Sequence, residues 1–321
     1  MARFLIRRIL LGLLVMLIVT VIVFAIFFVG PGPENVAHRL AGRQASPDQV
    51  TAVLHRLKLD QPLYKQYWRF LDRLLHGDLG YSYQHGQAVT TVLKEAFPIT
   101  LSLALGAAVI WLIIGVLSGV LAAVRPRSVW DRLSTFMALF FYSLPTFVLG
   151  LLLLYIFYFR LTLAGIHFFP GSGYTYLTAS PRKWFESLVL PWFTLALVSA
   201  AIYTRLTRGS MLDVLGEDYI RTARSKGLSE RRVIYRHALR AALTPVVSQF
   251  GIDVGTLLGG AIVTESVFGM PGLGYTAVNA ISNQDLPVII GIVIIAAAAV
   301  IVANIVVDAF YGVLDPRVRV H

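Results

Sequence analysis

The sequence of 321 residues contains no cysteine, and only 14% of its residues are charged. The absence of cysteine excludes a disulfide framework, a thiolate metal site and a cysteine nucleophile. Soluble domains usually contain about 25% charged residues, so the charge content is unusually low for that class. Hydrophobic residues make up 57% of the chain, which also argues against a disordered tail or a coiled coil. The composition therefore predicts an integral membrane protein.

The motifs of several enzyme classes are also missing. No lysine follows a glycine, so the chain lacks the Gly-Lys-Ser/Thr element of a phosphate-binding loop. Neither His-Glu-x-x-His nor Gly-x-Ser-x-Gly occurs, and the seven histidines lack the spacing of metal ligands. We therefore predict a chain that is not an enzyme, binds no cofactor or metal of its own, and cannot act as an ordinary P-loop ATPase.

Long uncharged windows dominate what is present. A helix needs about 20 apolar residues to cross a bilayer core. Such windows predict an all-α, polytopic membrane protein with six transmembrane helices, at about 9–29, 99–124, 133–159, 188–204, 243–265 and 287–311. The first run is longer than the core of a signal peptide, so we expect it to remain as an anchoring helix.

Basic residues concentrate in segments that the spans would place on one side of the membrane. The net charge is +11, and the basic excess lies in 1–8, 125–132, 205–240 and the tail. The positive-inside rule then places both termini in the cytoplasm. Topology and contact with membrane lipid headgroups explain the excess, so nucleic acid is not needed as a partner.

Two connecting segments are too long to be simple links. Residues 30–98 are expected to form an extracytoplasmic helical segment with two short amphipathic helices, the first beginning at a capping box of Ser46 and Gln49. This segment would either pack on the membrane helices or dock an external partner. Residues 99–312 are expected to form a five-helix core that contains a cytoplasmic loop at 205–243. A cytoplasmic tail at 313–321 is expected to follow this core.

The expected cytoplasmic loop contains a short helix at about Glu217–Ser225. Its acids lie in the first turn and its bases in the last, which matches the helix dipole, and Gly227 stands where the helix ends. We expect an i,i+4 pair between Glu217 and Arg221 and a left-handed conformation at Gly227. So short a helix is only marginally stable alone in water, so it must pack on another part of the protein.

Two acids fall within or at the end of the fifth expected span. Asp253 lies near its middle and is the better candidate to line a water-filled translocation path. Glu265 is the second candidate, at a position near the outer end from which it would also reach water. Glycines at i,i+4 spacing predict close helix packing on the second and fifth spans, at Gly115 and Gly119 and at Gly251, Gly255 and Gly259.

Several motifs resemble those of permeases in dipeptide and oligopeptide ABC importers of the peptide/nickel family. The stretch from Leu212 to Leu228 is similar to the coupling-helix loop of these permeases. Further similar motifs are His76-Gly77-Asp78-Leu79-Gly80, Thr264-Glu265-Ser266-Val267-Phe268, Pro271-Gly272-Leu273-Gly274 and Asp315-Pro316-Arg317. The resemblance covers nearly the whole chain and is greatest to the B-type permease of the dipeptide system.

The loop departs from the wider importer superfamily, in which Glu-Ala-Ala is followed by three residues and Gly. Arg221, Thr222, Ala223 and Gly227 occupy these positions here, so the glycine is kept and the glutamate is absent, as in the peptide branch. The resemblance implies the type I ABC importer permease fold. It also implies an ATPase-coupling role for Glu217, Asp218, Tyr219, Arg221, Ala223, Arg224 and Gly227.

The resemblance further implies a set of partners in a bacterial inner membrane. These are a second homologous permease, two cytoplasmic ATPase subunits that bind ATP and magnesium, and an extracytoplasmic peptide-binding protein. The implied function is import of di- or oligopeptides. Two alternatives stay open: nickel-chelate or glutathione cargo for the same machine, and an ion-coupled secondary transporter that uses Asp253 and Glu265. The second alternative would not explain the long inner loop with its short helix.

Overall fold

The structure is a computed structural model that describes residues 2–30, 32–41, 45–82, 84–258 and 261–314. Helix α1 (Ala2–Phe24) continues through a π-helical stretch, Ala25–Val29. Three short helices and a two-stranded antiparallel hairpin follow: α2 (Pro33–Ala41), α3 (Pro47–Leu57), α4 (Leu63–Leu75), β1 (Tyr81–Ser82) and β2 (Gln87–Ala88).

The rest of the chain forms a helical bundle. Its first half comprises α5 (Val89–Val124), α6 (Val129–Ser143), α7 (Thr146–Leu153), a π-helical stretch (Leu154–Arg160), α8 (Leu161–Leu163) and α9 (Pro181–Leu215). Its second half comprises α10 (Asp218–Ser225), α11 (Glu230–Arg232), a π-helical stretch (Val233–Ala238), α12 (Leu239–Leu258), α13 (Ile262–Val267), α14 (Leu273–Ser282) and α15 (Leu286–Leu314).

Within the described residues, five helices are long and apolar enough to cross a membrane. They cover Ile6–Val29, Val89–Val124, Thr146–Leu163, Pro181–Leu215 and Leu286–Val307. Five of the six expected spans are therefore found. The remaining one corresponds to α12, which is not among these five helices.

The expected boundaries differ from the structure at several points. α5 begins at Val89, ten residues before the expected start, because Pro98 lies inside a continuous helix. The third expected span, 133–159, is interrupted between α6 and α7, where Leu144 has an extended conformation with ψ of 127°. Pro145 follows it, and a residue before proline is disfavoured in the α conformation.

The segment before α5 packs on the ends of two long helices. The capping box at the start of α3 is present, with Gln49 N donating to Ser46 Oγ at 3.3 Å and Ser46 N donating to Gln49 Oε1 at 2.9 Å. Both expected helices form, as α3 and α4, and α2 is an additional one. Phe70 of α4 packs with Phe24 and Phe28 at the end of α1 and with residues of α15.

Helices α5 and α9 form the most extensive helix–helix contact in the described bundle, and glycines of α5 face α9 there. A Cβ at Gly115 would lie 2.4 Å from Cβ of Tyr203, and one at Gly119 would lie 2.6 Å from Cβ of Thr207. On α12, Gly251 faces Val307 of α15 in the same way. These stripes therefore pack helices of one chain together. Gly259 and the Asp315-Pro316-Arg317 motif lie outside the described residues.

Candidate functional site

The short helix α10 rests on one end of the bundle through two buried side chains. Ile220 is 0% exposed and Ala223 is 8% exposed. They belong to a cluster with Val120 and Ala123 of α5, Met211 of α9, the π-helical Val233, Ile234 and Ala238, and Ala242 of α12. The spacing of three between Ile220 and Ala223 puts both on one helix face. α10 therefore packs chiefly on the π-helical stretch Val233–Ala238, within a buried cluster that includes the ends of α5, α9 and α12, and its short length requires such packing.

The opposite face of α10 is polar and open. Glu217, Asp218, Tyr219, Arg221 and Arg224 are all exposed. The expected pairing of Glu217 with Arg221 is wrong, since Arg221 Nη1 instead lies 3.4 Å from Asp218 Oδ1. Glu217 precedes the first helical residue in the N-cap position, and its side chain makes no capping hydrogen bond.

The end of α10 has the predicted glycine geometry. Gly227 has φ of +73°, in the left-handed region. Gly227 N donates to Arg224 O at 2.9 Å, and Leu228 N donates to Ala223 O at 3.4 Å. These two bonds form a Schellman motif, which satisfies carbonyl groups left open at a helix end. A Cβ at Gly227 would meet no atom within 4 Å, so backbone conformation alone favours glycine here.

Arg224 connects α10 to the helix that follows it. Its Nη2 donates to Glu230 Oε1 at 2.7 Å and its Nε donates to Glu230 Oε2 at 3.2 Å. The hydrogen bond from Arg224 holds the pKa of Glu230 below its ordinary value. Both side chains are about half exposed, so solvent screens the pair and its net stabilisation is small.

A partly buried ion pair between α6 and α9 was not identified from the sequence. Arg208 of α9 forms a bidentate pair with Asp131 of α6, whose side chain is 8% exposed. Ser128 caps α6, because its Oγ accepts a hydrogen bond from Asp131 N at 3.2 Å. The sequence gives one indication of this pair: Asp131 is the single acid in the otherwise basic segment 125–132.

Asp253 lies at a junction between α9 and α12. Each carboxylate oxygen accepts one hydrogen bond: Oδ2 from Tyr203 Oη at 2.9 Å and Oδ1 from Gln249 Nε2 at 2.9 Å. Among the described residues, no Lys or Arg forms an ion pair with Asp253. Intramembrane acids usually face a partner or a cavity. Asp253 has two hydrogen-bond partners and is partly exposed. That it lines a translocation path stays a prediction.

Aromatic packing fixes the tyrosine that binds Asp253. Tyr203 and Trp111 of α5 are both 0% exposed, with ring centroids 6.0 Å apart, and Phe250 of α12 lies equally far from Trp111. Among the described residues, no acceptor forms a hydrogen bond with the buried Trp111 Nε1. Sequence reasoning missed Trp111, Tyr203 and Gln249, since nothing distinguishes them from other residues of the same windows.

Glu265 lies inside the protein rather than at a water-exposed end, so the expectation that it reaches water is wrong. Its side chain is 0% exposed. Oε1 accepts a hydrogen bond from Thr100 Oγ1 at 2.6 Å, and Oε2 accepts one from Tyr275 N at 2.8 Å. Thr100 Oγ1 also accepts one from Leu273 N at 2.8 Å.

This arrangement places Glu265 against the N-terminus of α14. A Cβ at Gly272 would lie 2.4 Å from Glu265 Oε1, so only glycine leaves room for the carboxylate. A carboxylate at a helix N-terminus is favoured by the free amide groups and the helix dipole. Glu265 therefore joins α13, α14 and α5, while its role in a translocation path stays a prediction.

Asp285 lies directly before α15, which begins at Leu286. Its backbone oxygen accepts a hydrogen bond from Ile289 N at 3.1 Å. Its side chain, however, accepts a hydrogen bond from Ser82 Oγ and lies 3.4 Å from His85 Nδ1. The carboxylate thus connects the β1–β2 hairpin to the start of α15, a long-range contact that the sequence does not indicate.

The sequence of this chain matches two protein-family models. Residues 115–320 match the model described as binding-protein-dependent transport system inner membrane component. The chain belongs to this family. Residues 1–104 match a model for the N-terminal part of such membrane components. The predicted transport subunit, spanning the inner membrane, is therefore confirmed.

Curated relatives align with the whole chain. The di/tripeptide transport system permease protein DppB of Pseudomonas aeruginosa is 38% identical, with 99% of each chain covered. A putative peptide transport system permease protein of Brucella abortus is 39% identical, and the dipeptide transport system permease protein DppB of Escherichia coli is 37% identical, both at 99% coverage of each chain.

Solved structures show the same fold at lower identity. Two inward-facing structures of the MetNI methionine ABC transporter match with TM-scores of 0.52 and 0.53 and 18% sequence identity. Each match covers 70% of this chain and 96% of the other. The predicted type I ABC importer permease fold is confirmed.

Proposed function

We propose that this chain is the permease subunit of an ATP-driven importer that moves di- or oligopeptides delivered by an external binding protein. The observation that carries the proposal is the attachment of α10. Ile220 and Ala223 hold this helix in a buried cluster with the π-helical stretch Val233–Ala238 and the ends of α5, α9 and α12, while its charged face stays open to another protein. The names of the full-length relatives support peptides as the cargo.

The proposed complex contains four further subunits. A second homologous permease completes the pathway, two ATPases bind ATP and magnesium, and a binding protein supplies the peptide. The missing phosphate-binding loop supports ATP hydrolysis on other chains. The proposal includes no cofactor or nucleic acid bound by this chain.

The proposed orientation puts α10 and both termini in the cytoplasm. The basic residues of 1–8, 125–132 and 205–240 support it. The segment 30–98 then lies outside, the core 99–312 spans the membrane, and the tail 313–321 lies inside.

In the proposed mechanism, ATPase closure displaces α10 as a rigid body. The proposed coupling residues include Ala223 on the buried face of α10 and Gly227 at its end. The others lie on its open face: Glu217, Asp218, Tyr219, Arg221 and Arg224. Because α10 shares one buried cluster with the ends of three long helices, its displacement changes their relative positions. Asp253 joins two of these helices, and we propose that it borders the path, while Glu265 positions α13 and α14 beside it.

Uptake by proteoliposomes tests the proposal. The complete complex is reconstituted with ATP inside, and a labelled dipeptide is added with its binding protein outside. We expect uptake that requires ATP and the binding protein and that persists when ionophores collapse every ion gradient. Uptake that follows an ion gradient without the ATPases would favour a secondary transporter. Uptake of a nickel chelate or glutathione instead of the peptide would agree with an ATP-driven importer but would show that its substrate is not a peptide.

A further inference from the structure

A cavity of about 680 Å³ lies between the segment 30–88 and the ends of α1 and α15. Its volume falls within the range of small-molecule sites, which is about 300–1,000 Å³. Much of its wall is apolar and includes Phe28 after α1, Phe70 and Leu74 of α4, and Ile290 of α15. This cavity is separate from α10 and from Asp253, so the proposed transport mechanism does not use it.

Two arginines from different helices line the same cavity. They are Arg56 of α3 and Arg73 of α4, and within the described part of the chain neither forms an ion pair or a hydrogen bond. Arg73 is only partly exposed, although an unpaired guanidinium is costly to remove from water. The pair therefore suits a ligand with a negative charge.

One acid also lines the cavity. Asp78 Oδ1 accepts a hydrogen bond from Gly80 N at 2.9 Å, and no described donor occupies its second oxygen. The lining thus presents two positive groups and one negative group next to an apolar wall. A ligand that matches it has an anionic group, a cationic group and a hydrocarbon part.

The cavity lies where such a molecule is abundant. Phe28 belongs to the first candidate span and Ile290 to the last one, close to one end of each. The cavity therefore lies at the level where these apolar spans end, which is where hydrocarbon meets headgroups in a bilayer.

We propose that this cavity binds one membrane phospholipid. Its phosphate lies between Arg56 and Arg73, because the guanidinium group matches phosphate oxygens in geometry and charge. One acyl chain follows the apolar wall at Phe28 and Ile290. Asp78 favours a headgroup with an ammonium group, so phosphatidylethanolamine binds in preference to phosphatidylglycerol. The bound lipid joins α3 and α4 to α1 and α15, independently of what the protein transports.

Retention of lipid by the purified complex tests this proposal. The complete complex is reconstituted in nanodiscs with equal amounts of phosphatidylethanolamine and phosphatidylglycerol, transferred to detergent, washed, and analysed by native mass spectrometry. We expect the wild-type complex to retain phosphatidylethanolamine. Arg56→Gln/Arg73→Gln should lower this retention by about tenfold or more, because each lost charge-assisted contact weakens binding.

Two further variants separate this site from general charge effects. Lys58→Gln/Lys65→Gln removes the same charge from the same segment outside the cavity lining and should retain the lipid as the wild type does. Asp78→Asn keeps an oxygen for Gly80 N, so it should retain a phospholipid but lose the preference for phosphatidylethanolamine. If the double arginine variant does not assemble, Ala88→Phe, which fills the cavity and keeps both arginines, should displace the lipid.

Several outcomes would overturn the proposal. Equal retention in the wild type and in Arg56→Gln/Arg73→Gln would remove the arginines from lipid binding, as would an equal loss in the lysine control. Unchanged retention in Ala88→Phe would place the lipid elsewhere. Normal lipid retention combined with loss of binding-protein docking in the arginine variant would assign this surface to the binding protein instead.

Discussion

Arg208 of α9 donates two hydrogen bonds to Asp131 of α6, from Nε to Oδ1 at 2.7 Å and from Nη2 to Oδ2 at 3.0 Å. Asp131 Oδ2 also accepts a hydrogen bond from Arg127 N at 2.9 Å. Arg208 lies about two helical turns before the end of α9 at Leu215, next to α10. The pair therefore holds the start of α6 against the part of α9 that leads into α10.

Asp131→Asn should destabilise this end of the bundle. Asparagine keeps the shape of the side chain but loses the charge that pairs with Arg208, and hydrogen bonds to charged groups contribute about 1.5–3 kcal/mol. We expect a loss of stability of about that size, measured as a lower midpoint of thermal unfolding of the purified complex at neutral pH. Asp60→Asn, an exposed change in the turn between α3 and α4, is the control and should leave the midpoint unchanged.

The stability difference between wild type and Asp131→Asn should depend on pH. Arg208 holds the pKa of Asp131 below its ordinary value of 3.8. A carboxyl with a lowered pKa stabilises the folded state above its unfolded pKa, and this stabilisation is lost as pH falls through the folded pKa. The difference should stay constant from about pH 8 to pH 5 and shrink below about pH 4. A difference that grows on acidification would contradict this assignment.

Gly227→Val should weaken coupling between transport and ATP hydrolysis. A β-branched residue at φ of +73° costs on the order of 1–2 kcal/mol and strains the end of α10. We expect the ATPase activity of the reconstituted complex to lose its stimulation by loaded binding protein, while the binding protein still docks.

Gly165→Val is the matched control for this change. Gly165 has φ of +81° and open space around its Cβ position, like Gly227, but lies after α8, away from α10. It should keep the stimulation. Stimulation as in the wild type in the Gly227→Val complex would remove α10 from the coupling path.

Asp253→Asn should alter transport and leave assembly intact. The asparagine oxygen still accepts one of the two hydrogen bonds, so the helices stay together, but the negative charge at the α9–α12 junction is lost. The expected result is slower peptide uptake at an unchanged yield of complex. Tyr203→Phe removes one donor and keeps the charge, so it should slow uptake less. Normal uptake by assembled Asp253→Asn complex would make Asp253 a packing residue.

Glu265→Gln should lower stability through the cap of α14. The amide provides one acceptor oxygen where the carboxylate offers two, so one of the donors at Thr100 and Tyr275 loses its acceptor. An unsatisfied buried donor costs about 1–3 kcal/mol. Thermal unfolding should therefore begin at a lower temperature than in the wild type, again with Asp60→Asn as control. An unchanged unfolding midpoint would contradict the capping role.

Single cysteines should report opposite membrane faces. The chain has no native cysteine, so the background is clean. In the β1–β2 hairpin, Gln84 is the position for labelling because it is exposed, whereas Ser82 is buried against Asp285. In α10, the exposed Ser225 is the position for labelling. In intact cells, an impermeant maleimide should label Gln84→Cys and not Ser225→Cys. Labelling of both from outside would contradict the proposed topology.

Local rules predicted a large part of this fold. Uncharged windows located the long helices, because each must be apolar along a membrane's thickness. The conformation of Gly227 followed from the residue order at the end of α10. The pairing of Glu217 with Arg221 failed because the helix begins one residue later than expected, at Asp218.

The contacts that define the candidate site were beyond local rules. Tyr203 and Asp253 are 50 residues apart in the chain, and Thr100 and Glu265 are 165 apart. Glu265 was expected near water because the fifth span was read as one helix. In the structure α12 ends at Leu258, and α13 and α14 fold over the carboxylate. Such contacts depend on how the helices assemble, which residue periodicity does not encode.

The position of α1 has a consequence for how the protein is made. α1 packs chiefly on α15: a Cβ at Gly12 would lie 2.8 Å from Ile301 Cγ2, and Val23 and Phe24 share a cluster with Ile290 and Ile294. Among the five candidate spans, the first in sequence order thus has the last in sequence order as its main partner. During synthesis α1 therefore enters the bilayer before α15 is available to it. Its apolar side chains, with the Thr20 hydroxyl donating a hydrogen bond to Leu17 O, let it stay in hydrocarbon until α15 is inserted.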